Sequence, residues 1–222
     1  MNKTAILLGA TGLTGSLLLQ LLLKDDNYSK IKLFSRKRVG ISNPKIEEYI
    51  IDLFALSDYK NEFVADVVFC CIGSTQAKTP DNEIYKKVDY GIPVAAAQLC
   101  TMNDIPTFIV VSALGANPES RFFYNRTKGE MERDVLAENI ENTFILQPSL
   151  IDGARNEKRP FELLWKKTMR VFNALLLGPL KKYRSIEAMT IAKAMQIVAD
   201  KGFTDTRIES ETIKKIVKNA RD

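Results

Sequence analysis

The strongest constraint on this chain is the run Gly9-Ala10-Thr11-Gly12-Leu13-Thr14-Gly15, which lies between an apolar segment at residues 5–8 and a leucine-rich segment at residues 17–23. That order predicts a strand, a tight turn and a helix. The three glycines permit a sharp turn and a close approach of another group to the backbone. Unpaired N–H groups and the dipole at the start of a helix attract phosphate, so the run predicts a site for a dinucleotide pyrophosphate.

The composition is that of one globular domain. The chain has 222 residues, of which 45% are hydrophobic and 27% charged, enough to bury a large core. The apolar runs are shorter than the roughly 20 residues that span a bilayer. The chain also reaches the glycine turn without a signal-like segment, which predicts a cytoplasmic location.

Apolar runs and amphipathic segments alternate along the first 150 residues. The run from Val67 to Ile72 is apolar throughout, as in a parallel sheet covered on both faces. The pattern predicts an α/β fold with a doubly wound (Rossmann) parallel sheet. Predicted strands are residues 4–8, 30–35, 46–51, 67–72, 107–111 and 143–146, and predicted helices are residues 14–24, 57–63, 84–102 and 126–138.

Beyond Pro148 the alternation is expected to stop. Helical patterns at residues 161–176 and 187–199 predict that residues 151–222 add a small, mainly helical substrate lobe to the single domain. Residues 1–150 hold 16 basic and 18 acidic side chains, whereas residues 151–222 hold 16 and 9. This basic excess is compatible with an acidic partner or with scattered solvated lysines; no nucleic-acid motif accompanies it. The basic residues that flank an apolar stretch here are Lys166, Lys167, Arg170, Lys181, Lys182 and Arg184.

Cysteine and histidine usage excludes several chemistries. Cys70, Cys71 and Cys100 have neither disulfide-framework nor zinc spacing, and we interpret them as buried thiols. The chain contains no histidine. A Ser-His-Asp triad, a Cys-His pair and the usual imidazole metal site are therefore excluded, and we predict no metal site.

The residues after the second strand predict the cofactor. A ribose 2′-hydroxyl is normally bound there by Asp or Glu, whereas a 2′-phosphate calls for Arg. No carboxylate lies between Asp26 and Glu47, and Arg36 follows the strand. We therefore expect NADP(H) to be favoured over NAD(H), with Lys37 or Arg38 assisting. The alternative is a basic surface loop.

Residues at the ends of the next two strands add weaker signals. Asp52-Leu53 follows the third strand, where a carboxylate can accept from an adenine amino group. Gly73-Ser74-Thr75 follows the fourth, where glycine allows close approach to a ribose or nicotinamide. Their agreement at successive strand ends favours a nucleotide along this edge of the sheet.

The predicted chemical centre is formed by Ser112, Tyr124 and Lys128. Ser112 ends a strand, and the Tyr-x-x-x-Lys spacing places Tyr124 and Lys128 on one helix face. The ammonium is expected to lower the pKa of the phenol, which is about 10 in the free side chain. Ser112 would bind a substrate oxygen while Tyr124 exchanges a proton with it.

Together, Gly9-x-x-Gly12-x-x-Gly15, Ser112 and Tyr124-x-x-x-Lys128 resemble the short-chain dehydrogenase/reductase superfamily over roughly residues 1–150. Further segments are most similar to its atypical, Tat-interacting oxidoreductase-like branch, which implies NADPH more often than NADH. These segments are Cys71-Ile72-Gly73-Ser74-Thr75, Val88-Asp89, Ser112-Ala113-Leu114-Gly115-Ala116, residues 124–132 and Gln147-Pro148-Ser149.

The resemblance implies a role for each matching residue. Asp89 departs from the pattern, because many relatives carry an asparagine that supports a proton-relay water. The implied contacts are Gly9, Thr11, Gly12, Leu13, Thr14 and Gly15 with the pyrophosphate; Arg36 and Lys37 with the 2′-phosphate; Asp52 and Leu53 with the adenine; Cys71, Ile72 and Gly73 with the central ribose; and Pro148, Ser149 and Leu150 with the nicotinamide carboxamide.

Three functions are compatible with this sequence. The first is an NADP(H)-binding oxidoreductase that reduces a small carbonyl substrate with Tyr124 as acid/base. The second is a non-catalytic NADP(H)-sensing regulatory protein. The third is a nucleotide-sugar epimerase or dehydratase, for which the chain is short. The Ser112, Tyr124 and Lys128 set favours the first, and the basic C-terminal part favours the second.

Overall fold

A computed structural model describes residues 2–152 and 183–220. Its centre is a parallel sheet of seven strands in the order β3-β2-β1-β4-β5-β6-β9. Two further strands, β7 and β8, pair with each other in parallel. The strands are β1 (Lys3–Leu8), β2 (Tyr28–Ser35), β3 (Ile46–Ile50), β4 (Val67–Cys70), β5 (Thr107–Val111), β6 (Asn142–Gln147), β7 (Ile151–Asp152), β8 (Ile186–Glu187) and β9 (Arg207–Glu209).

The helices form a layer on each face of the sheet. A short π-helical segment, Lys87–Gly91, joins α2 to α3, and a 3-10 helix spans Leu53–Tyr59. The α-helices are α1 (Leu13–Lys24), α2 (Asn82–Lys86), α3 (Ile92–Met102), α4 (Phe123–Ala137), α5 (Ala188–Lys201) and α6 (Ser210–Asn219). The predicted doubly wound α/β fold is confirmed.

Alternate residues of the central strands supply two hydrophobic cores. Val67 and Phe69 of β4 face the core that includes α1, α5 and α6. Val68 and Cys70 face the core that includes α3, α4 and the 3-10 helix. Since both faces of β4 are covered, all four of its residues are buried, which explains the continuous apolar run in the sequence.

The order in which strands are added to the sheet reverses at β1. The chain passes from β1 outwards to β2 and β3, and then returns to place β4 on the other side of β1. Ligands of open α/β sheets bind beyond the carboxyl ends of the strands at such a point. The glycine turn after β1 and the Cys71–Gly73 segment after β4 therefore lie side by side at the position where a nucleotide is expected.

The part beyond Pro148 differs from the sequence expectation. The predicted helix at residues 187–199 corresponds to α5, whereas the pattern at residues 161–176 and most of the basic cluster lie outside the described residues. The expected end of the alternation is wrong, because β9 adds a seventh strand beside β6. α5 packs against α1. At least residues 188–219 thus belong to the layers of the main sheet.

Candidate functional site

The glycine turn has the tight geometry that its sequence predicts. Gly9 has φ +86°, and its carbonyl accepts a hydrogen bond from Gly12 N at 2.9 Å. A Cβ on Gly15 would lie 2.1 Å from Gly9 O, and one on Gly9 would lie 2.8 Å from Cys71 O. Any side chain at these positions would displace the backbone, so the close packing of turn, helix and β4 requires glycine.

The start of α1 can receive an anion. Its N-cap is Gly12, which offers no side-chain cap, so the first N–H groups of the helix lack that partner. Thr11 and Gly12 are exposed, Leu13 is half-buried, and Thr14 is buried together with Gly15. The accessible N–H groups and the helix dipole fit a pyrophosphate.

Basic side chains follow β2, as predicted. Arg36, Lys37 and Arg38 are all exposed. The hydroxyl of Ser35 donates to the carbonyl of Lys37 at 2.7 Å, which shapes the start of this loop. Within the described residues, neither the Arg36 guanidinium nor the Lys37 ammonium forms an ion pair. Both charges are available to a phosphate.

Asp52 and Leu53 have structural roles besides the predicted one. One carboxylate oxygen of Asp52 accepts from Phe54 N at 3.0 Å and caps the 3-10 helix. Leu53 is buried in the core. Asp52 itself is exposed, and its contact with an adenine stays a prediction.

The segment after β4 lies against the glycine turn through its backbone. Cys71 N donates to Leu8 O at 2.9 Å, while Ile72 is half-buried and Gly73 exposed. Of the three thiols, Cys70 and Cys100 are buried as predicted, but Cys71 is only half-buried. Burial raises the pKa of the Cys70 thiol to about 11, so this group is neutral at physiological pH.

Lys128 and Asp89 form a buried ion pair. Lys128 Nζ lies 2.8 Å from Asp89 Oδ1, and the other carboxylate oxygen accepts from Ser74 N at 2.7 Å. A Cβ on Gly73 would lie 3.4 Å from Asp89 Oδ1 and 3.7 Å from Lys128 Nζ. The end of β4 therefore lies directly against the pair.

Close packing also fixes helix α4 beside this pair. A Cβ on Gly129 would lie 2.2 Å from the backbone of Asn117 and Pro118. Only glycine permits α4 to approach that loop so closely. The residue next to Lys128 thus sets the position of the helix face that carries Tyr124 and Lys128.

Tyr124 lies near the start of α4 and is 37% exposed. Its pKa is raised by loss of solvation, lowered by Lys128 and raised again by Asp89, and the net result is above the ordinary value of 10.0. The expected direction was wrong. Lys128 does favour the phenolate, but desolvation and the Asp89 carboxylate outweigh its effect.

Ser112 is also used differently from the expectation. Its hydroxyl donates to Glu132 Oε1 at 2.5 Å, and both groups are buried. Since the hydroxyl hydrogen is already bound, Ser112 cannot donate to a substrate oxygen in this arrangement. The predicted direct role would require that charge-assisted bond to break.

Glu132 is the partner of Ser112 that the sequence interpretation missed. It is 2% exposed and also binds Gln147 Nε2 at 2.8 and 3.0 Å and Arg207 Nε at 2.9 Å. Glu132 follows Lys128 by four residues, as Lys128 follows Tyr124, so the three share one face of α4. That spacing was the available signal.

The residues after β6 are partly occupied by internal contacts. Pro148 is buried, and its carbonyl accepts from Leu114 N at 2.9 Å. The Ser149 hydroxyl lies 2.9 Å from the Ser210 hydroxyl and donates to the carbonyl of Arg184. Leu150 is 54% exposed. The predicted nicotinamide contacts stay predictions, with the Ser149 hydroxyl already bound by protein groups.

The fold and the glycine turn define a nucleotide-binding protein of the Rossmann class. A family model described as NAD(P)H-binding matches residues 9–166, and the chain belongs to this family. It is 32% identical over 166 residues to "Protein FMP52-1, mitochondrial" of Scheffersomyces stipitis, covering 70% of each chain. It is 30% identical over 170 residues to "Protein HTATIP2" of Rattus norvegicus, covering 75% of this chain and 70% of that one. The resemblance to an atypical dehydrogenase/reductase branch is confirmed, as is a nicotinamide dinucleotide as the cofactor class.

Solved structures share the fold. One is a UDP-N-acetylglucosamine 4-epimerase from Methanobrevibacter ruminantium M1 in complex with UDP-N-acetylmuramic acid, with TM-score 0.69 and 17% identity over 99% of this chain and 82% of that one. Another is MoeE5 in complex with UDP-glucose and NAD, with TM-score 0.65 and 15% identity over 95% and 79%. At such identities the likeness concerns the fold alone. Among the described residues, no helix has the length and apolar character to cross a membrane.

Proposed function

We propose that this protein is an NADP(H)-dependent oxidoreductase that reduces a small carbonyl substrate, with Tyr124 as proton donor. The observation that supports this most is the arrangement on α4. Tyr124 is partly exposed at the carboxyl edge of the sheet, and Lys128 on the same helix face is paired with Asp89 beneath Gly73. A phenol beside the end of the sheet where ligands of this fold bind supports the proposed role of proton donor.

The residues present fit the cofactor. A glycine cradle that a Cβ would fill and an uncapped helix start suit the pyrophosphate, and Arg36 and Lys37 suit a 2′-phosphate. When bound, the nicotinamide supplies the hydride. Tyr124 supplies the proton to the substrate oxygen, and Lys128 holds positive charge near that phenol.

The Tyr124→Phe variant tests the enzyme proposal. It removes one hydroxyl and retains the ring, so turnover of a carbonyl substrate should fall about 10²–10⁴-fold, while NADPH binding followed by fluorescence stays unchanged. Tyr49→Phe is the matched control, because that phenol contacts Glu47 on β3. Reduction at the parental rate by Tyr124→Phe would show that the proton donor is wrongly assigned.

The preference for NADP(H) rests on Arg36 and on the absence of a carboxylate between Asp26 and Glu47. NADPH should bind more tightly than NADH by about one to two orders of magnitude, or about 1.4–2.8 kcal/mol. The Arg36→Asp variant should erase or reverse the preference in calorimetry. Lys60→Asp, which reverses the charge of an exposed basic residue elsewhere, should not. Equal affinities in the parent would contradict this part of the proposal.

A non-catalytic NADP(H) sensor is the second candidate. Two observations favour it: the Ser112 hydroxyl is bound to Glu132, and the pKa of Tyr124 is raised rather than lowered. Both would be tolerated in a protein that binds nucleotide without turnover. Mass spectrometry of the copurifying nucleotide, followed by a carbonyl screen, separates the candidates, since a sensor binds NADPH tightly and oxidises it with none of the carbonyls.

Location and partners are proposed on the sequence alone. We propose a cytoplasmic location, and an acidic partner for the basic excess beyond residue 150. The FMP52 relatives are named as mitochondrial, so a fluorescent fusion that colocalises with mitochondria would overturn the first point. If the protein binds no acidic protein even at low ionic strength, the proposed acidic partner is wrong.

A further inference from the structure

Asp89 and Lys128 form an ion pair that is almost completely removed from solvent. Its side chain is 0% exposed, and that of Lys128 is 4% exposed. Burying two charges carries a desolvation cost, which only a close, well-satisfied pair recovers. The 2.8 Å contact and the Ser74 N–H on the second carboxylate oxygen provide that compensation.

The pair changes the field that Tyr124 experiences. A lone ammonium four residues away on the same helix face would attract negative charge to the phenol oxygen. With a carboxylate 2.8 Å from that ammonium, the pair carries no net charge. Its two opposite effects on the phenol offset each other, although they do not cancel completely.

The other groups that face this cluster add no positive charge. Tyr85 is fully buried on α2, and its ring centroid lies 6.4 Å from that of Tyr124. Burial and then the Asp89 charge raise the pKa of Tyr85, so it is a neutral phenol. The Cys70 thiol on β4 is also neutral, with its pKa near 11. Among the described residues, Lys128 and Asp89 are therefore the charged groups that act on the Tyr124 hydroxyl.

We propose that Asp89, by pairing with Lys128, offsets much of the positive charge that would otherwise stabilise the Tyr124 phenolate, so that burial and this pair together keep Tyr124 protonated at neutral pH. A protonated phenol can give its proton to the oxygen of a carbonyl, whereas alcohol oxidation needs a phenolate to accept one. Without nucleotide, Tyr124 is therefore in the protonation state that carbonyl reduction requires. The direction rests on the proposed function, but the protonation state of Tyr124 does not.

A titration of Tyr124 in the protein without nucleotide or substrate tests this inference. The phenolate signal is followed by absorbance or by NMR of carbon-labelled tyrosine. Subtracting the signal of the same protein with the additional Tyr124→Phe substitution isolates Tyr124. In the parent, Tyr124 should titrate above 10.0, its ordinary value. In Asp89→Asn the midpoint should fall by about one pH unit or more, because Lys128 then acts without compensation.

Charge cancellation has a signature that a structural role would not produce. Lys128→Met should shift the midpoint upward, and the Asp89→Asn/Lys128→Met double variant should return it close to the parental value. The double variant contains no unpaired buried charge, so it keeps the test available if Asp89→Asn does not fold. Asp134→Asn is the control on α4, since that carboxylate contacts Tyr90 and Arg133 instead.

The outcomes separate the two proposals. An unchanged or higher midpoint in Asp89→Asn, or a double variant far from the parent, overturns the role of Asp89. A lowered midpoint in a protein that reduces no carbonyl supports that role and counts against the enzyme proposal.

Discussion

Two buried carboxylates lie on or against the face of α4 that carries Tyr124, and they have different kinds of partners. Glu132 receives hydrogen bonds from Ser112, Gln147 and Arg207, which lie at or in β5, β6 and β9. Asp89 receives one backbone N–H and the Lys128 ammonium. Beside it lies the buried phenol of Tyr85, whose pKa is raised by burial and by the Asp89 charge.

We interpret the Glu132 cluster, formed with Ser112, Gln147 and Arg207, as structural. We interpret the Asp89 cluster, formed with Lys128 and the Ser74 N–H, as functional. The Glu132 cluster satisfies both carboxylate oxygens and joins three strands to a helix, as expected of a group that fixes the fold. The Asp89 cluster instead keeps two opposite charges out of water, which carries a desolvation cost. We therefore propose that the Asp89 cluster acts on the chemistry of Tyr124, while the Glu132 cluster positions the helix that carries Tyr124.

The largest effect on stability is expected when the ion pair of Asp89 and Lys128 is broken. Asp89→Asn leaves the Lys128 ammonium buried without a counter-charge and should lower the free energy of unfolding by about 3 kcal/mol or more. Glu132→Gln should cost less, about 2 kcal/mol, because an amide can still pair with Ser112 and because the Arg207 side chain is 51% exposed and keeps water. Urea unfolding of the two variants measures the difference.

The control for this comparison is the double variant Asp89→Asn/Lys128→Met. It should recover much of the stability lost in Asp89→Asn, since no charge is then left unpaired in the core. Equal losses in Asp89→Asn and Glu132→Gln would mean that the two carboxylates do not differ in the way proposed.

A pH series sharpens the same comparison. Burial lowers the pKa of Lys128, but Asp89 and the nearby phenol raise it more, so the folded value lies above 10.5. The stability that this pair contributes is therefore fully present below the unfolded value of about 10.4 and is lost as the pH rises through the folded value. The gap in unfolding free energy between parent and Asp89→Asn should narrow as the pH rises towards about 10.4, because the unpaired Lys128 of the variant loses its proton there first, and narrow further as the pH passes the folded value of the parent.

The reason for that narrowing is specific to Lys128. In Asp89→Asn, burial destabilises the charged form of Lys128 and no carboxylate compensates. Loss of the Lys128 proton at high pH therefore raises the unfolding free energy of the variant, whereas it lowers that of the parent. Glu132→Gln retains the Lys128 pair, and its gap from the parent should stay constant over the same range. A constant gap for Asp89→Asn would contradict the ion pair.

The sequence predicts best what local sterics determine. The glycine turn was recognisable because a side chain at any of its glycines would lie too close to backbone atoms a few residues away or next to the adjacent strand. The strands of the central sheet were recognisable because their residues are buried on both faces, and β5 matches the predicted residues 107–111. The element starts were harder: α4 begins at Phe123, three residues before the prediction, because its N-cap Phe122 has no side-chain cap.

The sequence predicts poorly what distant partners determine. Lys128 and Glu132 look alike as polar residues on one helix face, and only the fold shows that one meets Asp89 and the other meets Arg207, 75 residues away. Likewise, β9 has three residues, of which only Ile208 is buried, too short a pattern to reveal a strand. The protonation of Tyr124 was misjudged for the same reason, since the carboxylate that offsets Lys128 comes from another helix.

The smallest expected effect concerns Ser112, and it tests whether the Glu132 cluster is structural. Ser112→Ala removes the hydroxyl that donates to Glu132 at 2.5 Å and should cost about 1.5 kcal/mol in unfolding free energy. Turnover should fall far less than in Tyr124→Phe, because the Ser112 hydroxyl hydrogen is directed to Glu132 and not to a substrate. Ser112→Thr, which keeps a hydroxyl, should restore most of the stability. If Ser112→Ala instead reduced turnover as strongly as Tyr124→Phe with little loss of stability, Ser112 would bind the substrate oxygen directly, and the division between the two carboxylate clusters would fail.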